Sequence, residues 1–503
     1  MISPGLAIPL TLAAPAIGFV LIWLTGRSPN IREGVTLATS AILLILTITV
    51  FSAVGEGQRP GYILFEIVDG LPLAFQAEPL GAMFALLASF LWLVNSFYSI
   101  GYMRGGNEKH QTRFYMSFAI AIGAAMGVAY SANLFTMFVF YEILTLSTFP
   151  LVTHKGDAKA RRGGRVYLAM LMGASIGLLL PAIVWLYTLT GNIDFTPGGV
   201  MAAHIDTVGP LVPVLLGLFV FGIAKAALMP LHSWLPNAMV APTPVSAFLH
   251  AVAVVKAGVF AVLKVTVYIF GADFLRESGA ATPFIWIAGG SILLASAIAM
   301  HKDNLKARLA YSTVSQLSYV TLGAMLATSM GVMGGAMQIA MHAFGKMTLF
   351  MCAGAIYVAA HKQNVSEMRG LGRVMPFTFG AFFIGAMSIV GLPPMGGSWP
   401  KFLLMLGAAD AHQLAMVVVL MVSSVLNVIY LLSIPVQAFY MSPATIDSKA
   451  QGAGAEAKIE WGRLKEAPFF CVAPPVVTAL GALILFFCAG GLYDYLAPLI
   501  GGG

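Results

Sequence analysis

The chain has 503 residues, of which 59% are hydrophobic and only 9% charged, with a mean hydropathy of +0.88. Soluble domains run near 25% charged, so this composition excludes a soluble domain and defines an all-α polytopic membrane protein. The formal charge of +7 is not a nucleic-acid patch, because the basic residues sort by loop.

A helix needs ~20 apolar residues to cross the hydrocarbon core. On that basis fourteen spans are predicted: 6–25, 35–54, 78–101, 114–131, 133–152, 166–190, 210–229, 243–271, 282–300, 306–327, 331–360, 377–399, 411–440 and 469–492. The stretch Leu6–Thr25 has no basic n-region and is too long for a signal h-region, so it is taken as the first span. Between the second and third spans, residues 55–77 alternate apolar and polar with Gly and Pro punctuation, which predicts a short external hairpin. Near the end of the chain, residues 442–468 are polar and predict a surface-lying loop without chemistry.

The loops then set the orientation. Arg27 and Arg32; Arg104, Lys109 and Arg113; Lys155, Lys159, Arg161, Arg162 and Arg165; Lys302, Lys306 and Arg308; Lys362, Arg369 and Arg373; and Lys449, Lys458, Arg463 and Lys465 all fall in odd-numbered loops. Together they make 20 of the 27 basic residues. The opposite loops hold only Arg59 and Arg276. By the positive-inside rule the odd loops are cytoplasmic and both termini lie outside. The expected location is the cell inner (plasma) membrane.

The five remaining cations lie inside spans: Lys225, Lys256, Lys264, Lys346 and Lys401, with Glu142 as the one acid well inside a span. An ionised group at mid-bilayer costs at least ~2.5–3.5 kcal/mol, so such residues are rare and usually functional. All five cations are lysine. Lysine can lose its proton when desolvated, whereas arginine effectively cannot. A membrane chain that buries only titratable cations is expected to move protons, or ions coupled to protons.

The seventh span carries Lys225 followed by Pro230, Pro236, Pro242 and Pro244. Each proline removes a backbone donor and clashes with the preceding turn, so the helix must break. The twelfth carries Pro393, Pro394, Gly396, Gly397 and Pro400 just before Lys401. In lipid such breaks survive only where the freed backbone groups are buried in protein or wetted in a cavity. The two breaks are five spans apart, an odd number that reverses direction through the membrane. This predicts two inverted five-helix repeats, at 113–271 and 272–441, preceded by spans 1–3 with the hairpin (1–112) and followed by the loop and last span (442–503).

Within this frame Glu142 is expected to modulate Lys225, its candidate partner. Lys256 is preceded by His250 and followed by Lys264. Eight residues make about two turns, or ~12 Å, so Lys256 and Lys264 share roughly one face. Lys264 lies nearer the membrane edge, where snorkelling to the interface stands beside a relay role. His342 and Lys346, at i and i+4, share a helix face and suit a relay step. No second ligand sits at a metal-binding spacing, and no metal site is expected. The three cysteines, Cys352, Cys471 and Cys488, lie in apolar stretches and are taken as packing residues. The expected order along the membrane plane is Glu142, Lys225, Lys256, His342/Lys346, Lys401, with water between them.

Four segments carry a resemblance: KAALMPLHSWLPNAMVAPTPVSAFLHAVAVVKAGVF, HKDNLKARLAYSTVSQLSYV, HAFGKMTLFMCAG and GLPPMGGSWPKF. They resemble the antiporter-like subunit family, the large membrane subunits of Mrp-type cation/proton antiporters, respiratory complex I and membrane-bound hydrogenases. The chain looks most similar to the D-type proteins of Mrp complexes, while its APTPVSAFLHA stretch is as similar to the longer A-type protein and its complex I counterpart. The resemblance implies working residues at Glu142, Lys225, Lys256 and Lys401. It also implies an ion-translocating component of a monovalent cation/proton antiporter, held among other membrane subunits and carrying protons with Na⁺ or K⁺ as the exchanged ion. The alternative is the proton-pumping component of an NADH:quinone oxidoreductase or a membrane-bound hydrogenase. The sequence holds no nucleotide fold, iron–sulfur cysteines or flavin motif, so no cofactor is expected and any redox chemistry belongs to partners.

Overall fold

The computed structural model describes residues 3–68, 70–204, 209–442 and 464–501. The predicted loop at 442–468 therefore lies largely outside the described residues. The fold is a helical bundle with one small hairpin. Among the described residues eleven helices are long and apolar enough to cross a membrane: α1 (Pro4–Leu24), α2 (Pro29–Gly55), α3 (Pro79–Gly105), α4 (Gln111–Ala129), α5 (Leu134–Val152), α6 (Ala158–Thr190), α8 (Thr243–Phe270), α9 (Thr282–His301), α11 (Ser329–Ala360), α13 (Leu414–Tyr440) and α14 (Phe469–Phe487). The other three predicted spans are also helical. They are α7 (Gly209–Gly222), α10 (Leu305–Leu326) and α12, in two pieces at Pro376–Val390 and Ser398–Asp410.

Local chemistry sets many of the helix ends. Proline occupies the first turn of α1, α2, α3 and α9, where its missing N–H costs nothing. Asn133, Asp157, Asn304 and Thr328 cap α5, α6, α10 and α11, each side-chain oxygen accepting from the backbone N–H three residues on. That satisfies one of the donors every helix start leaves orphaned. The Asp157 cap starts α6 eight residues before the predicted boundary of 166. Lys159, Arg161, Arg162 and Arg165 are thus on its first turns and not in a loop.

The predicted hairpin is present. β1 (Gly61–Val68) pairs antiparallel with β2 (Leu71–Gln76), Gly61 facing Gln76 and Val68 facing Leu71. It docks on the α4–α5 turn through Gln76 N–H to Tyr130 O (2.7 Å) and Ala132 N–H to Ala74 O (3.0 Å).

Burial sorts the helices. The apolar window of α8 is 100% buried, against 33% for α1, α6, α13 and α14. The exposed faces of these outer helices are apolar, for example Leu414, Val418, Met421 and Val425 on α13. Contiguous apolar surface of this kind marks contact with lipid or other membrane proteins. The polar line of the molecule is centred on its most enclosed helix.

Several predicted boundaries need correction. Regular helix in the seventh span ends at Gly222, not 229, and Lys225 sits in a short 3₁₀ turn, Ala224–Ala226. The twelfth span does not end at its break but resumes, with Lys401 one turn into the second piece. The eighth span, expected to be continuous, is interrupted at Val252 and Ala253. This break has neither Gly nor Pro to announce it. Its neighbours are the β-branched Val252, Val254 and Val255, which are weak helix formers. Finally, Cys488 is exposed, and only Cys352 and Cys471 are buried.

Candidate functional site: a buried line of lysines

Lys225, Lys256 and Lys346 are 0% exposed and Lys401 is 5% exposed, so none of the four has bulk water as its partner. Each ammonium is instead held by a small set of protein acceptors.

Lys225 Nζ donates to Tyr141 O (2.8 Å) and Thr145 Oγ1 (2.6 Å), two acceptors one turn apart on α5. The ammonium also lies 3.1 Å from the centroid of the Tyr141 ring, a cation–π contact. The Tyr141 hydroxyl in turn accepts the Lys225 backbone N–H (3.1 Å), which anchors a turn that no helix holds. The expected direct partner is not the one found. Among the described residues no ion pair closer than 4.0 Å joins Glu142 to Lys225. Both Glu142 carboxylate oxygens are buried without a hydrogen-bond partner among the described residues. The neighbouring Tyr141, whose ring and carbonyl face the lysine, takes the contact instead.

The Lys225 turn is pressed onto α8. A Cβ at Gly258 would come within 2.3 Å of Ala226 N and Lys225 C, closer than backbone atoms tolerate. Gly258→Val should therefore displace the Lys225 turn. The expected result is an overpacking cost of ~1–3 kcal/mol or more, seen as a lowered thermal transition and less assembled protein on size-exclusion chromatography.

Two residues earlier on α8, Lys256 Nζ lies 2.7 Å from His342 Nδ1. His342 was paired in the sequence with Lys346. The two do share a face of α11, but each binds a different group. Lys346 Nζ donates to Ser312 Oγ (2.7 Å) and Leu309 O (3.2 Å) on α10. His342 Nε2 has no partner among the described residues, and neither do the two ring nitrogens of His250. His250 ends the first piece of α8, across the unannounced break from Lys256, with the Phe350 ring at 4.9 Å.

Beyond Lys346 the line continues through residues the sequence reading missed. Ser312, Gln316 and Tyr319 lie at i, i+4 and i+7 on one face of α10, and Gln338, His342 and Lys346 at i, i+4 and i+8 on one face of α11. Gln338 Nε2 donates to Gln316 Oε1 (2.8 Å), both side chains being buried. The Tyr319 ring then lies 5.2 Å from Lys401 Nζ, which donates to Val390 O (2.6 Å) and Ser424 Oγ (3.2 Å). Val390 is the last residue of the first α12 piece, so its carbonyl is one the break sets free. Gly391 turns the chain there with φ +86°, and a Cβ on it would meet Lys401 Cδ at 2.7 Å. The break itself thus builds the lysine's acceptor. The signal for the glutamines was available: two amides inside apolar spans are costly unless they bond each other. Gln338→Leu leaves Gln316 with no amide partner. It is expected to cost about 1–3 kcal/mol of stability and to cut ion translocation per assembled complex at least tenfold, as measured by pH-dye quenching in vesicles.

Lys264 stands apart from this line. Its ammonium pairs with Glu78 Oε1 (2.9 Å), donates to Ser131 O (2.7 Å) and lies 4.4 Å from the Phe195 ring centroid. Glu78 is the residue before α3, and Ser131 is in the α4–α5 turn beneath the hairpin. Lys264 is 1% exposed, so it does not snorkel; it ties α8 to the hairpin end of the bundle.

A bundle of apolar helices that breaks at two lysines and buries further lysines, histidines and glutamines between its helices defines a class, that of polytopic membrane proteins with ionisable groups inside the protein. Residues 131–427 match the family described as "NADH:quinone oxidoreductase/Mrp antiporter, TM", and the chain belongs to that family. It is 30% identical over 417 residues to an NADH-quinone oxidoreductase subunit N of Desulforudis audaxviator, covering 81% of this chain and 80% of the relative. It is 31% identical over 350 residues to an NAD(P)H-quinone oxidoreductase chain 5 of Synechocystis, covering 66% of this chain and 49% of that one. The chain thus spans about half the length of that longer relative. A chain in the structure of the Mrp complex from Dietzia sp. matches with a TM-score of 0.84 at 22% identity, covering 99% of this chain and 97% of its own. A chain of an archaeal membrane-bound sulfane sulfur reductase matches with a TM-score of 0.84 at 21% identity, covering 98% and 97%. At these identities the two structures show a shared fold.

Proposed function

We propose that this chain is the ion-translocating membrane subunit of a multi-subunit Mrp-type monovalent cation/proton antiporter and that its own line carries protons. Lys225, Lys256 and Lys401 hold and pass the proton, His342, Lys346 and His250 relay it, and Glu142 biases Lys225 through space. Lys264, off this line and paired with Glu78, is a side branch at the hairpin end. The observation that carries this reading is the set of buried polar contacts that hold each lysine: Lys225 with Tyr141 and Thr145, Lys256 with His342, Lys346 with Ser312, and Lys401 with Val390 and Ser424. Four ammonium groups repel a bare metal cation, and hard cations such as Na⁺ bind where several oxygens converge. The lysine line suits a proton better than a sodium ion. Charge on one lysine disfavours charge on the next, which can drive a proton onward.

The repeat organisation, 113–271 and 272–441, supports the same mechanism. α7 and α12 both break, and five-residue π-helical segments occur in α6, α8 and α13, at Ser175–Leu179, Thr266–Phe270 and Val428–Leu432. Such segments concentrate at functional sites. Orientation follows from the basic loops: that end faces the cytoplasm, and both termini lie outside the plasma membrane. A second reading, a proton-pumping component of a redox complex, is favoured by the quinone-oxidoreductase names of the sequence relatives. Affinity capture of this chain from native membranes, followed by mass spectrometry, separates the two. Small multi-span partners without cofactors support the antiporter. Iron–sulfur, flavin or nickel subunits would overturn it in favour of the redox pump.

A further inference from the structure

At the end of the bundle that carries the basic loops lies a cavity of about 690 Å³ that the lysine line does not use. Four separate segments converge on it. The start of α6 brings Lys155, Lys159 and Arg162, the segment after the α7 break brings Asn237 and Ala241, the start of α10 brings Lys306, and the turn after α11 brings Lys362. Topology asks only that these loops be basic; it does not ask that their cations face one concavity. Lys306 Nζ spends one hydrogen on Ala241 O (2.6 Å), which leaves two for a guest. Lys155, Lys159 and Arg162 have no ion-pair partner among the described residues, and Lys362 has only Glu367 at 3.9 Å. The one acid in the lining, Asp157, caps α6 by accepting from Ala160 N–H at 2.6 Å, and the five cations Lys155, Lys159, Arg162, Lys306 and Lys362 outnumber it.

We infer that this cavity binds a phosphate-bearing anion, either the headgroup of an anionic phospholipid or free phosphate. Lysines serve as point-charge phosphate binders and arginine adds a bidentate fork. Basic pockets between membrane helices on the cytoplasmic side suit anionic headgroups. The volume exceeds that of phosphate alone, and the cavity opens among helix ends.

The test uses the intact complex captured through this chain and placed in nanodiscs, either of pure phosphatidylcholine or with phosphatidylglycerol added. The exposed pair Lys159→Gln/Arg162→Gln is compared with wild type and with Arg369→Gln, a basic residue outside the cavity. Inorganic phosphate is titrated calorimetrically in the phosphatidylcholine discs, and retained phosphatidylglycerol is counted by native mass spectrometry. The site predicts about fivefold weaker binding per cation removed in the double variant alone. Loss in the phosphate titration identifies a free anion, and loss confined to phosphatidylglycerol retention identifies a lipid headgroup. Binding that is equal in the double variant and the Arg369 control, or absent in wild type, would overturn the site. So would crosslinks placing an acidic segment of another protein of the complex over Lys155 and Lys159.

Discussion

Lys225→Ala is expected to lower ion translocation by ~10²–10⁴-fold, the range a proton-transferring side chain contributes, while the protein still assembles. Assembly survives because removing a buried ammonium also removes its desolvation cost. What is lost is the charge held between Tyr141 O and Thr145 Oγ1. Lys225→Arg is expected to fail as well. A guanidinium brings five donors to a site with two acceptors, overfills the space against the Tyr141 ring and does not release its proton. The measurement is pH-dye quenching in vesicles containing the assembled complex, normalised to the amount of protein on size-exclusion chromatography. If Lys225→Arg transported at the wild-type rate, the site would need only a fixed positive charge.

The second large effect is expected at the Lys256–His342 contact. Lys256→Met and His342→Leu should each cut translocation by ~10²-fold or more, and the double variant should be no worse than the poorer single. Groups that act as one step are strongly non-additive, and a double-mutant cycle on transport rates measures that coupling. A purely structural contact would behave differently. The single variants would lose thermal stability, because each leaves a buried polar group unpaired, yet transport per assembled complex would persist.

Much of the fold was legible in the sequence because lipid leaves few choices. Runs of ~20 apolar residues must be helices, clustered prolines mark the breaks near Lys225 and Lys401 while prolines inside α1, α5 and α14 leave those helices intact, and the alternation over 55–77 marks the hairpin. The break in α8 was not legible. Its only local signal is the β-branched Val252, Val254 and Val255, weak helix formers that stand out far less than a Gly or Pro. For the site, residue types were readable and partners were not. The i,i+4 spacing put His342 and Lys346 on one face, but which neighbour each bonds depends on how α8, α10 and α11 are arranged. Glu142 shows the same limit from the other side. Its charge drew attention, while the contact to Lys225 comes from Tyr141 and Thr145, whose role no spacing rule announces.

The buried lysines are proposed to pass protons and not merely to supply charge. Lys401→Arg tests this most directly, because Lys401 sits at the second break, held by the carbonyl of Val390 and the hydroxyl of Ser424. Arginine keeps the positive charge and loses the ability to give up a proton. Proton flux should be measured in proteoliposomes containing the whole complex, with Lys401→Ala as the reference for complete loss. Lys401→Arg is expected to transport no better than Lys401→Ala. Transport at the wild-type rate in Lys401→Arg would contradict it.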